Sequence, residues 1–518
     1  MSLLDSTERT SARTLWRGGR VLSPTHPAAT ALLTDGDRIA WIGDETDAPA
    51  ADQTVDLEGA WRPRRSWTRT STSPAPGPPH RPPPRRAALG RRRPRTRRQL
   101  RREPPRGRDR PRPRLGRDRL GRPRAAHLRG PRQRRGGRLA YLSRTCGHTG
   151  VAAPRLLAEH PELAALDGYD PSGLLTRAAH RAARATLNAA VPLAQRLAVA
   201  QAGLSHAAGL GIAAVAEMAI PNDADPLTEA EFSGLVDLGR EPGNPAVYGW
   251  WGELRASEKA RDLGAHGSGG DLSADGSLGA RTAFLRTPYA DEDTLGAEYL
   301  TAADVAAHLR DAHRVGLSAA FHAIGDGAVA NVLDGLDAVE RELGLDAIRH
   351  ARHRIEHAEL LDAQLIARMV HHGVHASVQP AFDAAWGGPG GMYAARIGRD
   401  RALAANPLSR LAGVGVPLAF GSDSPVTALD PWGGVRAAVR HWNPVSRLPM
   451  AAAFAAATRG GWRALGIDDS GSLVPNTRAN FTVWDLTGAG LPDLSDPGAP
   501  DPKCNLTVAR GSVVYTRA

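Results

Sequence analysis

The feature that most constrains the fold is an alternation of short apolar runs with amphipathic segments, which begins at Leu139 and continues for most of the chain. Residues 210–219 have the composition of a buried strand, and 301–315 that of an amphipathic helix capped by Thr301. Further strands are predicted at 317–324, 354–358, 374–379 and 416–422, with helices at 328–343 and 361–371. Strands that alternate with helices of about 10–15 residues predict βαβ units and a parallel sheet. The number of units favours a closed (β/α)8 TIM-like barrel, although an open doubly wound sheet fits the same pattern.

The two ends of the chain have a different pattern, that of short β-strands. Between residues 31 and 42, two apolar runs flank Asp35-Gly36-Asp37, which is a hairpin signal. Similar runs occur at 480–484, 506–508 and 512–515. Because chain termini often lie close together, we expect residues 1–60 and 466–518 to build one small composite β domain beside a barrel at 138–465.

Residues 61–137 interrupt this arrangement with an arginine- and proline-rich segment. From Trp61 to Arg138 there are 29 arginines, no lysine and three acids, so this stretch carries +26 of formal charge and the rest of the chain −14. Such a composition is typical of disorder, and a basic block can bind nucleic acid. Nucleic-acid binding is therefore an alternative function, but aromatic residues are confined to Trp61 and Trp67 and the remaining chain is acidic. We expect no specific nucleic-acid partner.

Polar clusters follow three of the predicted strands. They contain His322, Glu356 with His357, and Asp423. Barrel enzymes carry their catalytic groups at the carboxyl ends of strands, so these side chains can converge on one point. Imidazole and carboxylate groups suit a divalent metal such as zinc, which activates water at neutral pH, and Asp423 can act as a general base. Each residue also has a structural interpretation: the histidines as hydrogen-bonded core residues, and Asp423 as a helix N-cap before Pro425.

A glycine-rich loop at 275–282 is a further candidate. It is either a flexible turn or a substrate-binding loop in which Arg281 and backbone amides hold a polar group.

The motifs HAIGDGA (322–328), RIEHAEL (354–360), VQP (378–380), FGSDSPV (420–426) and DGSLGARTA (275–283) resemble the amidohydrolase superfamily, in the branch that includes N-substituted formamide deformylases. The resemblance implies a metal-dependent hydrolase of carbon–nitrogen, non-peptide bonds in an amide-like small molecule. By the same resemblance His322 and His357 are ligands of a divalent metal, zinc first among the candidates, and Asp423 is the catalytic base and a further ligand.

The resemblance also marks two departures from the family pattern. His148 resembles a family histidine near the substrate, but Cys146 stands where relatives have aspartate. Many relatives carry a metal-bridging lysine where this chain has Asp271, which favours a mononuclear site and leaves open whether Asp271 is a ligand.

The family's His-x-His ligand pair, expected near residue 70, is absent between Trp61 and Arg138, where His80 and His127 stand alone. GC-rich codons for residues 66–72, read in a second frame, can encode Val-Asp-Ala-His-Val-His. The Asp codon is forced by Trp67 followed by Thr68. We therefore interpret 61–137 as a frameshifted segment, with a genuine insertion as the alternative. As written, the barrel is expected to be incomplete at its first strand, and the chain to be weakly active or an inactive pseudoenzyme.

Cysteines and apolar runs bear on cellular location. The chain has two cysteines, too few for a disulfide framework, and no apolar leader or 18-residue apolar run. We expect a cytoplasmic protein with a small-molecule substrate and no membrane partner. A homo-oligomer is compatible with the sequence.

Overall fold

The computed structural model describes residues 12–57, 70–72, 139–143, 149–221, 225–486 and 490–517. The strands in these ranges are β1 (Arg13–Arg17), β2 (Ala31–Asp35), β3 (Arg38–Gly43), β4 (Gln53–Asp56), β5 (Thr70–Thr72), β6 (Tyr141–Ser143), β7 (Thr149–Ala152), β8 (Leu174–Thr176), β9 (Ala214–Ala219), β10 (Ala246–Trp251), β11 (Gly267–Ser268), β12 (Ser318–Ala323), β13 (Arg354–His357), β14 (His375–Val378), β15 (Leu418–Phe420), β16 (Phe481–Asp485), β17 (Lys503–Ala509) and β18 (Ser512–Thr516).

The helices in the same ranges are mostly short, and the longest lie between the strands of the central sheet. They are α1 (Pro154–Glu159), α2 (Arg177–Ala189), α3 (Leu193–Gly209), α4 (Thr228–Leu238), α5 (Ser257–Asp262), α6 (Ala302–Arg314), α7 (Asp326–Leu343), α8 (Leu345–Ala351), α9 (Ala363–His372), α10 (Pro380–Trp386), α11 (Met392–Ile397), α12 (Arg399–Ala404), α13 (Leu408–Gly413), α14 (Pro431–Val439), α15 (Met450–Ala455) and α16 (Gly461–Ala464). Among these helices, none is long and apolar enough to cross a lipid bilayer.

The central sheet is parallel and has the strand order β15-β14-β13-β12-β11-β10-β9-β5. Helices separate most of its successive strands, as the sequence pattern predicts, and the architecture is that of a TIM-like barrel. The core on which these strands and helices pack is rich in small and branched side chains, including Phe321, Ile355 and Leu336. This packing brings the carboxyl ends of the strands to one rim of the barrel.

The sequence predicts a barrel that is incomplete at its first strand, and the structure has a short strand at that position. Thr70–Thr72 forms β5, which pairs in parallel with β9 in the register Thr70↔Ala214 and Thr72↔Ala216. Residues of β5 also lie next to β15, so the sheet curls back on itself. Pairing of this kind uses backbone groups, so a short segment such as Thr-Ser-Thr can occupy the position without the histidines that the resemblance implies.

Two small sheets are built from the chain ends. One has the order β3-β2-β1-β4, with β1 and β4 parallel, and the other is the antiparallel β16-β17-β18. Buried residues from both sheets share one cluster, in which Trp16 packs edge-on against Phe481 at 5.2 Å between ring centroids. Backbone hydrogen bonds also join the two ends, from Ile39 N to Thr477 O (2.8 Å). The domain boundaries given above for these segments stay predictions.

A third small sheet, β6-β7-β8, is antiparallel and precedes the barrel strands β9 to β15. It packs with α1 and α2 around a local apolar cluster that includes Leu156, Leu163 and Leu175. Residues 144–148, which join β6 to β7, lie outside the described residues.

Candidate metal centre

Two histidines lie side by side where β12 and β13 end. The parallel register pairs His322 with Glu356 and Ala323 with His357, so both imidazoles stand at the carboxyl rim of the barrel. Their ring centroids are 4.4 Å apart, and Nε2 of His357 lies 3.0 Å from Nδ1 of His322. Both side chains are buried. The convergence expected from the sequence is therefore present for this pair.

A third candidate ligand, Asp271, reaches the pair from the loop after β11. Gly269 and Gly270 have φ angles of 107° and 85°, and a Cβ on Gly269 would lie 2.0 Å from the carbonyl oxygen of Ala320. Only glycine permits this approach of the loop to β12. The loop then places Oδ1 of Asp271 3.2 Å from Nδ1 of His322. The ligand atoms of Asp271, His322 and His357 all lie within 4.8 Å of one another.

The outer nitrogen of each imidazole is engaged by an acceptor. Nε2 of His322 donates to the carbonyl oxygen of Gly276 at 3.1 Å, and Nδ1 of His357 donates to Oε1 of Gln379 at 2.8 Å. The amide orientation of Gln379 is fixed because its Nε2 donates to the carbonyl oxygen of Ser377. In the neutral form of each ring, these bonds leave the lone pairs on Nδ1 of His322 and Nε2 of His357.

The inner atoms of the cluster are consequently all electron-rich. Two imidazole lone pairs and the carboxylate of Asp271 face one another at about hydrogen-bond distance, which is unfavourable unless a cation or a proton lies between them. The electrostatics of His322 agree with this. Burial lowers the pKa of His322, but the hydrogen bond and charge of Asp271 outweigh burial and raise the pKa to about 9. The donor set fits a divalent metal ion of the zinc type.

Asp275 supports the cluster from behind. Its carboxylate is fully buried, lies 3.7 Å from Nε2 of His322, and accepts backbone N–H groups of Phe284 (2.8 Å), Ile324 (3.0 Å) and Gly325 (2.8 Å). Burial raises the pKa of Asp275 to about 6. The aspartate of the glycine-rich loop therefore anchors that loop to the end of β12, a role that sequence reasoning missed.

Asp423 follows β15 and belongs to the same electrostatic environment. Burial, and then the charge of Asp271, raise the pKa of Asp423 well above its usual range, while His322 lowers it. Its backbone is left-handed, with φ of 50°, and His357 and Ala358 have φ of 72° and 47°. Such conformations cost on the order of 1 kcal/mol each for residues with a Cβ and tend to occur at functional sites. Asp423 thus remains a candidate base at the rim that carries the histidines.

Two further acids in the RIEHAEL motif, Glu356 and Glu359, were given no role from the sequence. Glu356 is held by Arg354, whose Nη2 lies 2.8 Å from its Oε1, and the guanidinium stacks 4.9 Å above the ring of Trp250. Burial raises the pKa of Glu359 to about 7. The signal that could have found them is their position on either side of His357.

Two other site residues were predicted from the sequence, Arg281 and His148. Arg281 makes a two-pronged ion pair with Asp291, at 3.0 Å from Nε and 2.9 Å from Nη2. Its role in binding substrate stays a prediction. His148 and Cys146 lie outside the described residues, and the role of His148 stays a prediction as well.

The chain is similar to known proteins along most of its length. The family profile described as the amidohydrolase family matches residues 132–515. The Bacillus subtilis (strain 168) protein YtcJ, which is named as an amidohydrolase, is 32% identical over 268 residues, covering 48% of this chain and 47% of that protein. The N-substituted formamide deformylase of Arthrobacter pascens is 27% identical over 159 residues, covering 31% and 27%. The chain therefore spans about half or less of the length of these curated relatives.

A solved structure extends the likeness to the whole fold. An uncharacterized metal-dependent hydrolase from Pyrococcus furiosus superposes with a TM-score of 0.65 over 92% of this chain and 99% of its own, at 20% sequence identity. At that identity the likeness concerns the fold.

Proposed function

The chain belongs to the amidohydrolase family, and we propose that its site hydrolyses a carbon–nitrogen, non-peptide bond of an amide-like small molecule with the help of one zinc ion. The observation that carries the proposal is the pair of fixed tautomers, which turns Nδ1 of His322 and Nε2 of His357 toward the carboxylate of Asp271. Two imidazoles and one carboxylate are a ligand set found in catalytic zinc sites.

The residues divide the chemistry among them. Asp271, His322 and His357 would hold the cation, and Gly276 and Gln379 orient the two imidazoles. When bound, such a cation supplies Lewis acidity and makes water a nucleophile near neutral pH. Asp423 accepts the proton of the attacking water and returns it to the leaving nitrogen.

The N-substituted formamide deformylases remain the finer proposal for the substrate class. It rests on the motifs of this chain and on the distant match to the Arthrobacter pascens enzyme. Loops at the carboxyl rim set the specificity of barrel enzymes. The metal-ligand set by itself therefore supports an amide-like bond as the substrate class and no individual substrate.

We also propose that residues 61–137 are a frameshifted segment of an active parent enzyme. The structure adds one consideration in favour, because β5 lies at residues 70–72, inside the stretch whose second reading frame can encode His-Val-His. A catalytically inactive family member is the second candidate function. It is favoured by the absence of a His-x-His pair between Trp61 and Arg138 in the sequence.

Metal dependence tests the proposed function. A chain with the second frame restored is expected to hydrolyse members of a panel of formamides, linear amides and cyclic ureides. Removal of metal with a chelator should abolish the activity and added Zn²⁺ should restore it, because the water nucleophile depends on the cation. Hydrolysis that survives complete metal removal, or no hydrolysis of any panel member by a folded, zinc-loaded chain, would argue against the proposal.

A further inference from the structure

A second group of potential metal ligands lies at the carboxyl ends of two helices, away from the strand ends described above. Glu340 is in the last turn of α7, and His371 and His372 are the last two residues of α9. Nε2 of His371 is 2.8 Å from Oε2 of Glu340, and Nδ1 of His372 is 3.3 Å from the same oxygen. The three ligand atoms lie within 4.8 Å of one another.

The decisive side chain is His372, which is fully buried. Its Nε2 lies 2.7 Å from Oδ1 of Asp337 and donates to it. The other oxygen of Asp337, Oδ2, accepts a hydrogen bond from Nη2 of Arg368 at 2.6 Å. A carboxylate behind one imidazole nitrogen, with the opposite nitrogen facing outward, is the usual arrangement behind a metal-ligating histidine.

The opposite nitrogen of His372 has no hydrogen-bond partner. Its Nδ1 is buried and faces the carboxylate oxygen of Glu340. Because Nε2 of His372 carries the hydrogen that it donates to Asp337, the lone pair of the neutral ring lies on Nδ1. A lone pair directed at a carboxylate oxygen 3.3 Å away is unfavourable unless a cation lies between the two atoms.

We propose that Glu340, His371 and His372 form a second divalent-cation site, of the zinc type, that ties the carboxyl end of α7 to that of α9. The ligands are two imidazole nitrogens and one carboxylate oxygen, which zinc accepts together with a water molecule. Both helices end at this point, so the negative ends of their dipoles add to the attraction for a cation.

The position of the site indicates a stabilising role. Helices α7 and α9 follow β12 and β13, the strands that carry His322 and His357, and they run back along the barrel toward the amino ends of these strands. Residues at that face of a TIM-like barrel serve stability, whereas chemistry takes place at the carboxyl rim. A zinc ion bound by Glu340, His371 and His372 would therefore hold α7 and α9 together and stabilise the barrel. It would take no part in the reaction.

The test uses the full chain and Zn²⁺ alone as the probe. Zinc content after dialysis, zinc affinity by competition with a chromophoric chelator, and the zinc-dependent rise in Tm are compared among variants. Glu340→Gln and His371→Ala alter two ligands whose side chains are partly exposed, so neither substitution opens the core. His206→Ala, at an exposed histidine near the end of α3, is the matched control. Asp271→Asn removes a ligand of the other centre and separates the two sites.

We expect wild type, His206→Ala and Asp271→Asn to retain this zinc equivalent and the rise in Tm that it causes. Glu340→Gln and His371→Ala should lose the equivalent or bind it at least about 10-fold more weakly, since loss of even an outer partner of a ligand has an effect of this size. Equal zinc stoichiometry and affinity in wild type, His206→Ala, Glu340→Gln and His371→Ala would overturn the proposal. So would the absence of zinc at this position in wild type, with a doubly protonated His372 bridging Asp337 and Glu340 instead.

Discussion

Restoring the second reading frame across residues 61–137 is expected to raise amide hydrolysis by at least about 100-fold over the chain as it stands. In the described part of the chain, the ligand atoms of Asp271, His322 and His357 lie within 4.8 Å of one another. In the second frame, the two histidine codons fall across residues 69–70 and 71–72, at the position of β5. Residues two apart in a strand face the same side, so both imidazoles can point to one metal.

The expected magnitude follows from ligand number. If each added imidazole strengthens zinc binding by at least about 10-fold, two of them give about 100-fold, and activity rises accordingly when zinc is limiting. The measurement is kcat/KM for an amide substrate together with bound zinc, for the restored and unrestored chains. A restored chain in which both new histidines are replaced by alanine is the control, since it keeps the corrected strand and lacks the ligands.

The nucleotide sequence of codons 58–140 provides an independent check. If the codons for residues 66–72 do not spell Val-Asp-Ala-His-Val-His in another frame, the frameshift explanation is wrong. In that case the arginine-rich block is a genuine insertion, and activity and zinc content are to be measured on the chain as it stands.

Substitution of Asp423 by asparagine is expected to lower kcat of the restored enzyme by about 10²- to 10⁴-fold, the usual contribution of a general base. Asparagine preserves the shape of the side chain but cannot accept the proton of the attacking water. The charges of Asp271 and His322 shift the pKa of Asp423. The Asp423 carboxylate therefore lies near the residues that would hold the metal and its water. Asp293→Asn, at an exposed loop position, is the control and should leave kcat unchanged.

The pH profile separates a base from a structural residue. Burial raises the pKa of Asp423, so the fraction of ionised base, and with it kcat, should rise with pH through the pKa of this group. The asparagine variant should lack that rise. A variant that keeps more than a tenth of wild-type kcat, or that loses activity only because it no longer binds zinc, would remove Asp423 from the role of base.

Much of the barrel could be predicted because its signals are local. The helix expected at 301–315 is α6, Ala302–Arg314, and Thr301 caps it through a reciprocal capping box with Asp304. The strand expected at 354–358 is β13, Arg354–His357. In both segments the apolar period and the terminal residues specify the element without reference to the rest of the chain.

The remainder of the site depends on relations between distant segments. Asp271 approaches His322 because Gly269 passes close to the backbone of Ala320. No pattern of neighbouring residues in the sequence predicts this contact between distant segments. The sequence around Asp275 is compatible with a flexible turn. In the structure, however, the Asp275 carboxylate accepts three hydrogen bonds from backbone N–H groups of two other segments. The strand β5 was missed because its threonine-rich sequence lacks the apolar run of a buried strand, and its pairing with β9 is a tertiary event.

The most direct test of the metal centre is the position of the ion itself. Anomalous diffraction at the zinc edge from zinc-loaded crystals of the restored chain should show a peak about 2.0–2.1 Å from Nδ1 of His322 and from Nε2 of His357, with an oxygen of Asp271 at about 2.0–2.2 Å. A zinc ion found away from these three side chains, or histidine rings turned so that Nδ1 of His322 and Nε2 of His357 no longer face a common point, would contradict the account.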